Sequence, residues 1–126
     1  MAIPHAEPGD IVDLRPLGPA LATTRTHAVF KSADLELIRL VLPAGQEMPP
    51  HAVDGEITLQ CIEGLIAFSC NAGVIELSAG QLVHAAGGEL HGLRAVEDAS
   101  LLLTIALRGA AAQPNTTDSP TGSRAR

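Results

Sequence analysis

Short apolar runs alternate with turn residues along this chain, and no run keeps the 3.6-residue period and caps of a helix. His27–Lys31 alternates weakly. Leu35–Leu42 reads LELIRLVL, with β-formers on both faces, as expected of a strand covered on both sides. Pro43, Gly45, Pro49 and Pro50 predict a loop. Residues 57–62 predict the next strand, and Glu63-Gly64 turns the chain into Leu65–Cys70. Asn71-Ala72-Gly73 reads as a hairpin connection, because Asn and Gly accept positive φ at little cost. Further strands are expected at 74–77, Leu82–Ala85, 90–96 and 100–107, separated by Ala79-Gly80, Gly87-Gly88 and Glu97-Asp98. A first short strand is expected at 11–14, before the breakers Pro16, Gly18 and Pro19.

Strands at turn-separated intervals, with no helices between them, predict an all-β antiparallel jelly roll or barrel. The expected domain spans 10–108. Residues 1–9, broken by Pro4 and Pro8, are expected as a flexible arm. Residues 109–126, GAAAQPNTTDSPTGSRAR, are too small and polar to offset their ordering entropy and are expected as a disordered tail.

Composition narrows the function classes. The 126 residues suit one domain, and 46% hydrophobic content can fill a core, but aromatics make up only 2%. That core must therefore be aliphatic. A net charge of -6, with one lysine and scattered arginines, argues against nucleic acid as a partner. No apolar run approaches the ~18 residues of a membrane helix. MAIPHAEPGD lacks the basic and apolar regions of a signal peptide, so the cytoplasm is the expected compartment. Cys61 and Cys70 are then expected to be reduced. Glu63 and Glu76 read as solvated carboxylates.

Two stretches carry candidate chemistry: GQEMPPHAVDGEITLQCIEG from Gly45 and LSAGQLVHAAGGELH from Leu77. Gly45, His51 and Gly64 resemble the first motif of the small cupins, and Gly80, Gly87-Gly88 and His91 resemble the second. The resemblance implies a double-stranded β-helix barrel. It also implies a site where metal ligands converge. The chain departs from the pattern there: Val53 stands at the second histidine of the first motif and Ile57 at its Glu or Gln ligand. Ala86-Gly87 replaces the usual Pro-Pro, and Ala95 stands where an asparagine can follow the histidine.

By parity, His51, Val53, Ile57, Leu59 and Cys61 share one strand face, an apolar wall with one imidazole. The expected pocket is these five residues with His84 and His91. A divalent metal (Zn, Fe, Mn or Ni) is the cofactor that the resemblance allows, with His51 and His91 as ligands. Two imidazoles rarely hold such an ion tightly, so His84 is the candidate third ligand. Glu56 or Asp54 could serve if a bulge at Gly55 re-aimed them. Cys61 lies among apolar neighbours, which would raise its pKa and leave a poor nucleophile.

Three functions are compatible with this pattern. The first is a barrel that binds a small organic ligand through two histidines. The second is a metal-dependent dioxygenase or isomerase acting on a small organic acid or phenol. The third is a non-catalytic interaction or sensory domain. Residues 35–42 and 100–107 are apolar on both faces, a surplus that predicts a homodimer.

Overall fold

The computed structural model describes residues 5–107. Among the described residues, nine strands follow a 3-10 turn at Gly18–Thr23: β1 (His27–Lys31), β2 (Leu35–Leu42), β3 (Glu47–His51), β4 (Ile57–Glu63), β5 (Leu65–Cys70), β6 (Gly73–Ser78), β7 (Leu82–Ala85), β8 (His91–Ala95) and β9 (Ala99–Ala106). They form a five-stranded sheet, β1-β2-β9-β4-β7, facing a four-stranded sheet, β3-β8-β5-β6. All pairings are antiparallel. The expected tail at 109–126 and residues 1–4 lie outside the described residues.

Register decides which side chains meet. In the larger sheet, Leu40 pairs with Leu101 and Ile38 with Leu103, while Leu59 and Cys61 face the same two β9 residues. These positions point inward. From the smaller sheet, Ile66, Phe68 and Leu77 fill the space between. Phe68, Leu42, Leu59, Ile66 and Leu101 are fully buried, and each large apolar side chain so placed contributes roughly 1.5–3 kcal/mol. One aromatic ring suffices at the centre of an otherwise aliphatic core.

Gly64 shows why the turn after β4 is tight. Its φ is +89°, and a Cβ there would strike the Asp98 carbonyl and the Ala99 backbone. Any other residue would combine strain with collision.

Two stretches differ from the sequence expectation. Glu47–His51 is a strand, not a loop, despite Pro49 and Pro50. It lies at the edge of its sheet, where missing N–H groups cost no ladder bonds, and its register shifts between Met48 and His51. Residues 11–14 are not a strand: Ile11 is 96% exposed, and Asp13 instead forms an ion pair with Arg15. Four residues between Pro8-Gly9 and Pro16 find no sheet neighbour. Residues 5–9, expected as part of a loose arm, are tied to β1 by the Ala6 N–H donating to the Val29 carbonyl at 2.9 Å.

The outer face of the larger sheet accounts for much of the apolar surplus. Arg39, Val41, Ser100 and Leu102 point away from the core, yet all four are buried within the single chain. Glu63 anchors the segment that crosses them. It accepts hydrogen bonds from the backbone N–H of Leu17 (2.8 Å) and Gly18 (3.0 Å), and from the Ser100 hydroxyl. Arg39 lies 3.8 Å away and donates through Nη2 to the Arg15 carbonyl and to Ser100 Oγ, both at 3.0 Å. Glu63 is thus a clamp, not the solvated carboxylate that its place in a turn suggests.

Candidate functional site

His51 ends β3 and His91 opens β8, and the two are direct cross-strand partners. Their rings lie 4.7 Å apart, tilted by 58°. Phe68, from the neighbouring β5, stacks against His91 at 6.1 Å with an interplanar angle of 17°. His51 is exposed and His91 is buried, so one ring sits at the mouth and the other inside.

The same local geometry holds both rings. His51 Nδ1 meets the Pro49 carbonyl at 3.2 Å, and His91 Nδ1 meets the Glu89 carbonyl at 3.0 Å. Each contact reaches back two residues along the chain. Around them the loops are braced. Gly88 N–H donates to the Val53 carbonyl at 2.8 Å. Glu89 accepts from the backbone N–H of Ala86 and of Asn71, both at 3.0 Å, and these bonds hold its carboxyl below the ordinary carboxylate range.

Between the sheets, below the two rings, is a cavity of about 40 Å³. His51, His91, Ile57, Leu59, Phe68 and Met48 line it, and Leu40, Gly92, Leu93 and Leu103 complete the lining. It has room for about three water-sized groups. The two imidazoles are the polar side chains of an otherwise greasy wall.

Of the expected pocket residues, His51, Ile57, Leu59 and His91 meet at this cavity. Val53 packs against the core without lining it. Cys61 lies deeper, fully buried, with Sγ donating to the carbonyls of Glu63 (3.5 Å) and Gly64 (3.7 Å). Burial pushes its thiol pKa up, as expected, which keeps it protonated and unreactive.

His84 does not join the pocket. Its partner on β4 is Thr58, whereas the inward Ile57 is paired with Ala85. Period-two alternation therefore turns His84 outward, where Nε2 meets Glu56 Oε1 at 2.7 Å between two exposed side chains. Glu56 faces the same way, so neither supplies the third ligand. Among the described residues, no cluster of three or more His, Cys, Asp or Glu could hold a metal ion. Two imidazoles alone do not fit a resident Zn, Fe, Mn or Ni ion, which needs three or four protein ligands.

Six lining residues fall outside the expected set: Leu40, Met48, Phe68, Gly92, Leu93 and Leu103. The parity of β5, with Ile66 and Phe68 inward, is the signal that could have found the ring. Met48 was hidden by the prolines beside it.

No family model matches the sequence, and no curated protein matches it. Solved structures do. A cupin superfamily protein from Desulfitobacterium hafniense superposes with a TM-score of 0.67 at 13% identity, over 81% of this chain and 99% of that one. An RmlC-like cupin from Desulfovibrio desulfuricans gives 0.59 at 27% identity, over 82% and 96%. A third, from Methanocaldococcus jannaschii, is described as an RmlC-like cupin with a double-stranded β-helix fold; it gives 0.60 at 15%, over 65% and 78%. The fold is that of a small cupin. On this fold the described residues bring one imidazole pair to the site, and Val53 and Ile57 belong to the hydrophobic interior. No helix among the described residues is long and apolar enough to cross a membrane.

Proposed function

We propose that this cupin binds a small organic molecule at the mouth of its barrel, with an apolar portion in the cavity and a polar portion against the two imidazoles. One observation carries this reading: His51 and His91 stand 4.7 Å apart over a cavity otherwise walled by Ile, Leu, Met and Phe. Apolar walls with a few converging polar groups are the usual makeup of a ligand site. The cytoplasm is the compartment we propose, consistent with two free cysteines. The metal-dependent alternative, a dioxygenase or isomerase of a small acid or phenol, needs a third ligand that the described residues do not supply.

The test is an NMR screen of small neutral organic fragments against isotope-labelled protein, with elemental analysis of the same sample. Shifts confined to residues around the cavity, in metal-free protein, are expected. A near-stoichiometric metal lost in His51→Ala and His91→Ala would favour the metalloenzyme instead. No response around the cavity from any fragment would end the binding reading.

A homodimer is a second reading, favoured by β6. Three of the four sheet edges are blunted: β3 by Pro49-Pro50, β1 by the Ala6 hydrogen bond, and β7 by its length of four residues. By contrast, β6 runs GVIELS with Val74 71% exposed, and carries no Pro or Lys. A second copy pairing along β6 would extend the four-stranded sheet. Light scattering checks this: a dimer that Val74→Lys converts to monomer supports it, and a wild-type monomer at high concentration excludes it.

A further inference from the structure

We propose that a second copy of this chain joins β6 in one register, antiparallel and centred on Ile75, so that the two smaller sheets run on as one. This rests on the reading that β6 pairs with a second copy, and the backbone of the strand carries it. Cys70 and Gly73 are direct partners across the two-residue turn Asn71-Ala72, and the pairing runs without a shift to Leu65 and Ser78. Residues that close such a turn bond to each other, and along an antiparallel ladder the bonding direction alternates. The N–H and C=O groups of Gly73, Ile75 and Leu77 therefore point to β5, and those of Val74, Glu76 and Ser78 point to the open edge. Ser78 follows the alternation: its N–H donates to Gln81 Oε1 at 2.9 Å. Gln81 thus closes one end of the edge, and the Asn71-Ala72 turn closes the other. Among the described residues no strand lies beyond β6, and Val74, Ile75 and Glu76 are all exposed.

The edge that stays open, Val74 and Glu76, is its own complement when reversed. Opposite residues of an antiparallel pair share a face, so a two-fold axis through the joined sheet passes through a pair of identical residues. With Ile75 on the axis, Val74 stands opposite Glu76 of the second copy. The two exchange N–H···O=C bonds, and symmetry repeats the exchange on the other side, so every open group of the edge is met. An axis at Glu76 would set two carboxylates directly opposite and would call on the Ser78 N–H that Gln81 holds. An axis at Val74 would bring Glu76 against Ala72, in the turn. Ile75 is the partner of the buried Phe68 and shares its face, and at 38% exposure it would be covered by its own copy. An edge this short gives a free peptide too few bonds to offset its ordering entropy. A second copy brings a strand that β5 already holds in shape.

The experiment uses the full chain in a Cys70→Ser background, with Ile75→Cys, Val74→Cys and Glu76→Cys made singly and treated briefly with diamide; Cys61 is fully buried. Residues facing each other at the axis have Cα atoms about 4.5 Å apart, within disulfide reach, whereas diagonal pairs stand roughly 7–8 Å apart, beyond it. Near-complete crosslinking is expected of Ile75→Cys and loss of it one residue to either side, with crosslinking restored by mixing Val74→Cys and Glu76→Cys. In wild type, hydrogen exchange at the Val74 and Glu76 amides is expected to slow as protein concentration rises, with Ile75 unchanged. A dimer that crosslinks through Val74→Cys or Glu76→Cys alone would overturn the register while leaving β6 as the interface. A dimer with no crosslink at the three positions and no concentration dependence at these amides would remove β6 as the interface, and the register with it. A wild-type monomer at high concentration would remove both.

Discussion

Two polar clusters on this barrel are built from similar material and end in opposite states. On the outer face, Glu63 takes hydrogen bonds from two backbone N–H groups and Ser100, with Arg39 close by. Its bonding capacity is spent within the chain. At the mouth, His51 and His91 meet a backbone carbonyl through Nδ1, and no hydrogen bond from the described residues reaches Nε2. The contrast separates two uses of a polar group in an apolar protein. A group saturated by its own chain fixes a segment in place, whereas one left with a free bonding position can meet water or a ligand. The outer cluster keeps one loose end, the buried Arg39 Nε, which meets no hydrogen-bond partner among the described residues.

The largest effect should come from breaking the saturated cluster. Glu63→Ala leaves the Arg39 charge buried without its carboxylate and frees residues 15–18. It should cost about 3 kcal/mol, read as a fall in the urea midpoint. If the loss is under about 1 kcal/mol, the cluster is not a clamp and the contrast collapses.

Acid should act on the same cluster. Burial alone would raise the Glu63 pKa, but the bonds from Ser100, Leu17 and Gly18 and the charge of Arg39 outweigh it and hold the carboxyl below its ordinary value. A group whose folded pKa is depressed stabilises the fold above its unfolded value, near 4.3 for Glu, and that stability is lost as pH falls through the lower folded value. Wild type should therefore lose stability more steeply than Glu63→Gln below about pH 4.5 in parallel urea titrations. Asp13 (held at about 2) and Glu89 are shifted downward too, and both are unchanged in the variant, so the difference between the curves isolates Glu63. Parallel curves would refute the assignment.

Much of the core was legible from the chain because period-two alternation governs both. The face shared by Ile57, Leu59 and Cys61 is the face the sheet buries, whereas His51, expected on the same face, is exposed at the end of β3 in the opposite sheet; the cupin-like spacing still brings it to His91, forty positions further along the chain. What failed did so for local reasons. His84 was placed in the pocket by its closeness to the second motif, but its register opposite Thr58 sends it outward. Glu63 looked solvated because its partners are the backbone of residues 17 and 18, which no side-chain pattern announces. The prolines in β3 read as a loop, since sequence does not say which strand lies at an edge.

The thiols offer a smaller test of the same interior. Cys61 is fully buried with a raised pKa, while Cys70 is half-buried. Mass spectrometry after brief iodoacetamide treatment should find Cys70 modified first, with Cys61 labelled only on unfolding. Equal labelling would mean that the barrel opens below its imidazole pair.

The smallest stability effect belongs to the unsaturated cluster, and it completes the comparison. His51 is exposed and its single internal bond runs to a carbonyl two residues away, so His51→Leu should change stability by less than about 0.5 kcal/mol. The same change should weaken the binding of small organic fragments at the cavity, read by NMR. Glu63→Ala should do the reverse, weakening the fold while leaving fragment binding intact in the folded fraction. If His51→Leu instead destabilised the barrel as much as the loss of Glu63 does, its imidazole would belong with the outer clamp. The imidazole pair would then be another structural device and not a ligand anchor.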